Sequence, residues 1–107
     1  MDPLEARARA VLSPVLGHYT WLPVDHAKGS WLFSRDGRKV LDLTSGIAVN
    51  PVGHAHPKVV AAVTEQVKRF SHLSIGVAVY EPYVALAEAL ARISPPDRKS
   101  TRLNSSH

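Results

Sequence analysis

The sequence predicts an α+β chain: an N-terminal helix, a small antiparallel β-meander, then two helices. Three features carry that reading. Strong helix formers follow Pro3, with Leu4, Ala8, Val11 and Leu12 at helical spacing. Between Trp21 and Leu43 the pattern changes to short apolar runs parted by turn residues. Two amphipathic segments then begin at prolines, Pro57 and Pro82.

The first helix is expected over Pro3 to Leu12 and stops near Ser13-Pro14. In the meander, Trp21-Leu22-Pro23-Val24 and Trp31-Leu32-Phe33 flank Lys28-Gly29, while Phe33 and Val40 flank Arg35-Asp36-Gly37-Arg38. Asp-Gly between apolar runs signals a hairpin, because such turns favour positive φ. Strands are therefore expected near 22–27, 30–34 and 39–43. Trp21 and Trp31 are read as core residues and Asp36 as a turn former. The helix led by Pro57 presents Val59, Val60, Ala62, Val63, Val67 and Phe70 on one face, with Lys58, Glu65, Lys68 and Arg69 toward water. After an irregular apolar stretch, Ser71 to Val79, the helix from Pro82 to about Ile93 aligns Tyr83, Leu86, Leu90 and Ile93. Pro95-Pro96 ends it.

The stretch from Leu41 to Pro57, L-D-L-T-S-G-I-A-V-N-P-V-G-H-A-H-P, is the candidate functional segment. It leaves a strand, enters a helix, and holds Thr44, Ser45, Gly46, Asn50, Gly53 and His54 between them. Gly46 and Gly53 permit sharp turns or close approach to a ligand. Loops held between a strand and a helix are where rigid scaffolds present binding groups. His54, His56 and His72 raise the question of a metal. Two imidazoles one residue apart would both reach one ion only if the loop curled back, and no acid adjoins them in sequence to orient a ring. No metal site is expected.

The composition narrows the functional classes. At 107 residues there is room for one small domain with a modest core. The absence of cysteine excludes a disulfide scaffold, a thiol nucleophile and a cysteine-based zinc site. No apolar run is long enough to span a membrane, and Met1-Asp2-Pro3-Leu4-Glu5 is no secretory signal. The formal net charge is +4, but three of the 13 Lys and Arg and only one of the 9 acids follow Pro96, so half of that excess belongs to the end of the chain. Nothing forms a basic stripe interleaved with aromatics, and no nucleic-acid or membrane partner is expected. Gly-x-x-x-x-Gly-Lys loops and Gly-x-Ser-x-Gly elbows are absent.

The run L-D-L-T-S-G-I-A-V-N-P-V-G-H-A-H-P-K-V-V-A-A-V, followed by Gln66, Phe70, Ser71-His72, Tyr80-Glu81-Pro82-Tyr83-Val84 and Leu86-Ala87-Glu88, resembles the N-terminal signature of the class III aminotransferases. The second half is most similar to the 4-aminobutyrate aminotransferase branch. The likeness runs from about Gly29 to Pro96. It implies a piece of an aspartate-aminotransferase-like (fold type I) subunit, with residues 1–95 forming a small-domain segment and the start of the large domain. It also implies pyridoxal 5'-phosphate as cofactor, an amino donor and a 2-oxo acid as substrates, a homodimer and a cytoplasmic location.

Pyridoxal phosphate chemistry needs a Schiff-base lysine, an acid for the pyridinium nitrogen and donors for the phosphate. In the family these lie downstream. Lys28, Lys39, Lys58, Lys68 and Lys99 do not resemble the family lysine in context, and no matching phosphate-binding motif occurs. No catalytic or cofactor-binding residue is therefore assigned, and the chain alone is expected to be inactive. The resemblance places Gly46 and Ile47 at the substrate, Ile47 just after the Gly46 turn as a pocket wall; its other reading is a buried loop anchor. Ile75-Gly76-Val77 is expected to add to the same mouth. Gly-His-x-His-Pro becomes a structural lead-in to the helix. The segment 96–107 departs from the family pattern, has no apolar periodicity, and is expected to be foreign or disordered. The competing expectation is a free-standing binding module that uses the Gly46–His56 loop without catalysis.

Overall fold

The computed structural model describes residues 1–95, so the tail expected at 96–107 lies outside the described residues. The order of elements is α1 (Pro3–Val11), β1 (Val24–Lys28), β2 (Trp31–Ser34), β3 (Lys39–Leu41), a four-residue turn α2 (Ser45–Ala48), α3 (Pro57–Val67) and α4 (Glu81–Ile93). The α+β class and each expected element are present. Two compact units divide the chain, one over Met1–Gln66 and one from Val67 onward.

In the first unit, Asp2 caps α1 by accepting the Leu4 amide at 2.7 Å, with Pro3 at the first turn. The Glu5–Arg9 pair, one turn apart at 2.9 Å, supports the exposed side of the helix. The meander has order β1-β2-β3, all antiparallel. Its register shifts between Val24 and His26, opposite Ser34 and Phe33, so that Asp25 is an extra residue that bends the edge strand.

The Asp36-Gly37 hairpin closes through the Ser34 amide on the Arg38 carbonyl (2.9 Å) and the Gly37 amide on the Ser34 carbonyl (3.1 Å). Only Gly37 within it takes positive φ, 87°, as in a tight turn completed by one left-handed residue. Asp36 accepts from the Arg38 guanidinium and from the Ser34 hydroxyl; these bonds, Arg38 first, hold its carboxyl well below the usual range. Asp36 thus serves the turn.

β3 stops at Leu41, short of the expected residue 43: the Asp42 amide makes one more bond, to the Ser30 carbonyl, and the Asp42 carboxylate then takes the Thr44 and Ser45 amides and turns the chain away. β1 likewise begins at Val24 and not at residue 22. Neither tryptophan is a core residue, contrary to expectation. Trp31 is exposed beneath the Lys39 ammonium, 4.3 Å from its ring centroid. Trp21 is half-buried between the His18 ring (4.1 Å) and the Arg9 guanidinium (4.4 Å). A single three-stranded layer has no second layer to enclose large rings.

α3 starts at Pro57 as expected; the His56 Nδ1 accepts the Lys58 amide at 3.1 Å and the His56 carbonyl accepts Val60 at 2.9 Å. It ends at Val67, so Phe70 lies beyond it. In the second unit Phe70 packs edge-on against Tyr80 (5.4 Å), and Tyr80 against Tyr83 (5.8 Å). α4 begins one residue before Pro82 and ends where Ser94 returns its amide and hydroxyl to the Leu90 carbonyl.

Among the described residues no large hydrophobic side chain is buried; Pro23 and Ser34 are the buried residues. Val59, Val60, Val63 and Val67 of α3 and Tyr83, Leu86, Leu90 and Ile93 of α4 are all exposed. The apolar stripes that the sequence predicts are there, without a core to receive them. No helix among the described residues is long and apolar enough to cross a membrane.

Candidate functional site

The stretch between β3 and α3 is a stapled loop. At its start the Asp42 amide donates to the Ser30 carbonyl at 2.7 Å, and at its end Gly29 and His54 exchange both backbone hydrogen bonds, at 2.9 and 2.8 Å. Both ends therefore hang on the Gly29-Ser30 turn of the meander. Gly53, with φ of 81°, sits so close that an added Cβ would lie 3.1 Å from the Gly29 Cα and carbonyl oxygen. Only glycine permits that approach.

Asp42 organises the first half. Its Oδ1 accepts the Thr44 amide (2.9 Å), the Thr44 hydroxyl (2.7 Å) and the Ser45 amide (3.1 Å). Its Oδ2 lies 2.6 Å from the His54 Nε2. The Asn50 amide nitrogen is 3.1 Å from Nδ1 of the same ring, so Asn50 donates to Nδ1 and the Nε2–H is directed at Asp42. The Asp42 side chain is 6% exposed and that of His54 25%. Hydrogen bonds from the Thr44 hydroxyl first, then His54 and the Thr44 amide, hold the Asp42 carboxyl well below its ordinary value, against the opposing effect of burial. An acid does orient a histidine here. The expectation that none would is corrected: Asp42 is adjacent in space although twelve residues distant in sequence.

The turn within the staple has an uncommon backbone. Ser45, Gly46, Ile47 and Ala48 have φ of 52°, 65°, 63° and 60°, four successive left-handed residues. For the three that carry side chains this costs roughly 1–2 kcal/mol each. The run is held by the Ala48 amide on the Thr44 carbonyl (2.9 Å), Val49 and Asn50 amides on the Ser45 carbonyl (2.9 and 3.0 Å), and the Ser45 hydroxyl on the Asn50 carbonyl (2.8 Å). It carries the Ile47 side chain outward, 78% exposed. Strain of this kind collects at ligand-binding positions.

Of the residues expected from sequence, Gly46 and Ile47 stand together on this turn, and His54 bonds to Asp42 before it and Asn50 after it. Ile75-Gly76-Val77 forms a separate turn of the second unit, closed by the Val77 and Ala78 amides on the Ser74 carbonyl. Sequence reading missed Asp42. Asp-Leu-Thr is an Asx-turn signature that was available, since the side chain of an Asp takes the amide two residues on. No group of three or more His, Cys, Asp or Glu residues that could hold a metal converges among the described residues. A cleft of about 110 Å³ lies beside the staple, lined by Gly29, Ser30, Asp42, Ser45, Asn50, Pro51, Gly53 and His54.

The sequence model of the class-III aminotransferases matches residues 13–106. The chain is 49% identical over 96 residues to the 5-aminovalerate aminotransferase of Pseudomonas putida, a match covering 90% of this chain and 23% of that protein. It is 45% identical over 73 residues to the 4-aminobutyrate aminotransferase of Escherichia coli, covering 68% and 17%. In three dimensions it resembles the adenosylmethionine-8-amino-7-oxononanoate aminotransferase of Methanocaldococcus jannaschii, with a TM-score of 0.74 and 25% identity over 86% of this chain and 22% of that one. The chain thus spans about a quarter or less of the proteins it matches. Its small antiparallel sheet and helices are a piece of an aspartate-aminotransferase-like subunit, and the chain belongs to the class-III aminotransferases, a family of pyridoxal phosphate enzymes.

Proposed function

We propose that this chain is the N-terminal part of a transaminase that moves an amino group from an ω-amino acid, of the 4-aminobutyrate or 5-aminovalerate kind, to a 2-oxo acid, working as a cytoplasmic homodimer. The observation that carries the reading is the family match across residues 13–106, joined to relatives named for those two donors. The described residues do not by themselves fit the cofactor. The cleft beside the staple is smaller than the roughly 300–1,000 Å³ usual for ligand sites, and neither it nor the clefts along α1 and α4 are lined by a lysine. The Schiff-base lysine and the phosphate donors belong to the part of the enzyme beyond this chain, and the chain alone is inactive. When bound there, the cofactor supplies the electron sink for amino transfer.

This segment contributes a wall. The strained turn turns Ile47 outward, and a branched apolar group at that place selects among donor side chains by about 1–3 kcal/mol. Extending the reading frame of the source DNA past Ser100 and assaying the whole product against ω-amino acids of different length tests the proposal. The expected result is a downstream lysine after an apolar strand and fastest turnover with donors of four or five carbons. A stop codon directly after His107 in independent reads, with no transamination, would overturn it and leave a binding module.

Acid provides a second check on the staple. Asp42 is held ionised in the folded loop below its ordinary value of 3.8, so its stabilising contribution is complete above that value and is lost as pH falls through the lower folded one. The gap in melting temperature between the intact enzyme and its Asp42→Asn variant should hold steady from about pH 7 to 5 and narrow only below about pH 4. A gap that closes already at neutral pH would mean that the carboxylate is not the group that acts.

A further inference from the structure

The contact between Asp42 and His54 joins the two ends of the loop that carries Ile47. Its position is informative. On the strand side, Asp42 is fixed through Ser30; on the helix side, His54 is fixed through Gly29, and these two anchors are neighbours. The imidazole then bridges Asp42 and Asn50 at 2.6 and 3.1 Å, so one ring ties the start of the loop to the residue that closes the turn. The same carboxylate takes the Thr44 and Ser45 amides that lead into the left-handed run. Ser45, Ile47 and Ala48 would each favour a negative φ if released. A change of sign at Ile47 swings its Cβ to the other side of the chain. The direction of that side chain is therefore set by groups that are themselves withdrawn from the surface, with the Asp42 side chain only 6% exposed.

We propose that Asp42 and His54 are positioning residues for donor selection: they touch no substrate, and they fix the left-handed turn that aims Ile47. The proposal rests on the reading that Ile47 lines the donor pocket. It predicts that the pair acts on selectivity through Ile47 and by no other route. A contact that merely stabilises the fold would lower melting temperature and total activity without changing the preference between donors.

The test is a double-mutant cycle in the intact enzyme, reading the ratio of kcat/KM for 4-aminobutyrate and 5-aminovalerate. Asp42→Asn should shift that ratio about threefold or more, and in an Ile47→Ala background it should shift it no further, since the two residues act as one unit. His54→Gln should behave in the same way, and serves alone if Asp42→Asn does not fold. An unchanged ratio in both staple variants overturns the proposal, as does an equal shift with and without Ile47. If Ile47→Ala itself leaves the ratio unaltered, the reading beneath the proposal fails and the proposal with it.

Discussion

Expressed alone, the 107-residue chain should melt without a cooperative transition, bind a hydrophobic dye such as ANS, and run larger than a monomer. The reason is the missing interior. Every large hydrophobic side chain among the described residues is at least partly open to water, and whole apolar stripes on α3 and α4 are exposed. Each buried aliphatic or aromatic side chain contributes about 1.5–3 kcal/mol, and a folded domain keeps a margin of only about 5–15 kcal/mol in total. With none of them fully buried among the described residues, no such margin is built there. Local bonds do not replace it: the Glu5–Arg9 pair is exposed, and such pairs give at most about 0.5 kcal/mol. Differential scanning calorimetry with mass measurement in solution checks the point. A sharp transition from a monomer would show that the segment is self-sufficient as a folding unit.

Gly53→Val should be the most damaging single change in the loop of the intact enzyme. The φ of 81° disfavours any side chain, and the new Cβ would meet backbone atoms of Gly29 at 3.1 to 3.2 Å. Those atoms belong to the pair that Gly29 makes with His54, so no flexible side chain can move aside. Strain of this order costs about 1–3 kcal/mol, and it falls on the staple that holds Ile47, so kcat/KM should fall along with melting temperature. Gly17 is the control: it has open space around its Cβ position and no positive φ. Gly17→Val should stay within about 0.5 kcal/mol of the parent. Equal behaviour of the two variants would mean that the Gly29–His54 pair is dispensable.

Much of this fold is legible in the sequence because its signals are local. Pro3, Pro57 and Pro82 each mark a helix start to within a residue or so, and Asp36-Gly37 marks the hairpin. The family resemblance is legible for a like reason, since its most specific part is the contiguous run from Leu41 to Val63. Distant and compensated features are less legible. The tie of Asp42 to His54 spans twelve positions, and no periodicity connects a carboxylate at a strand end to an imidazole before a helix. The left-handed run is hidden because Ser45, Ile47 and Ala48 have no propensity for it; the hydrogen bonds around them impose it. Trp21 and Trp31 misled for another reason. Large aromatic rings signal burial only when a second layer exists to cover them, and the described residues supply one sheet layer.

The account depends most on Ile47 meeting the donor. Ile47→Gln in the intact enzyme puts an amide in place of a branched apolar side chain that this segment presents outward on a left-handed turn. The measurement is the ratio of kcat/KM for two ω-amino donors of different length, taken together with the melting temperature. The account predicts a shift in that ratio of about tenfold or more, with nearly unchanged stability. A large drop in melting temperature, about 1–3 kcal/mol in stability for an amide buried without partners, with the donor ratio unchanged, would make Ile47 a packing residue and contradict it.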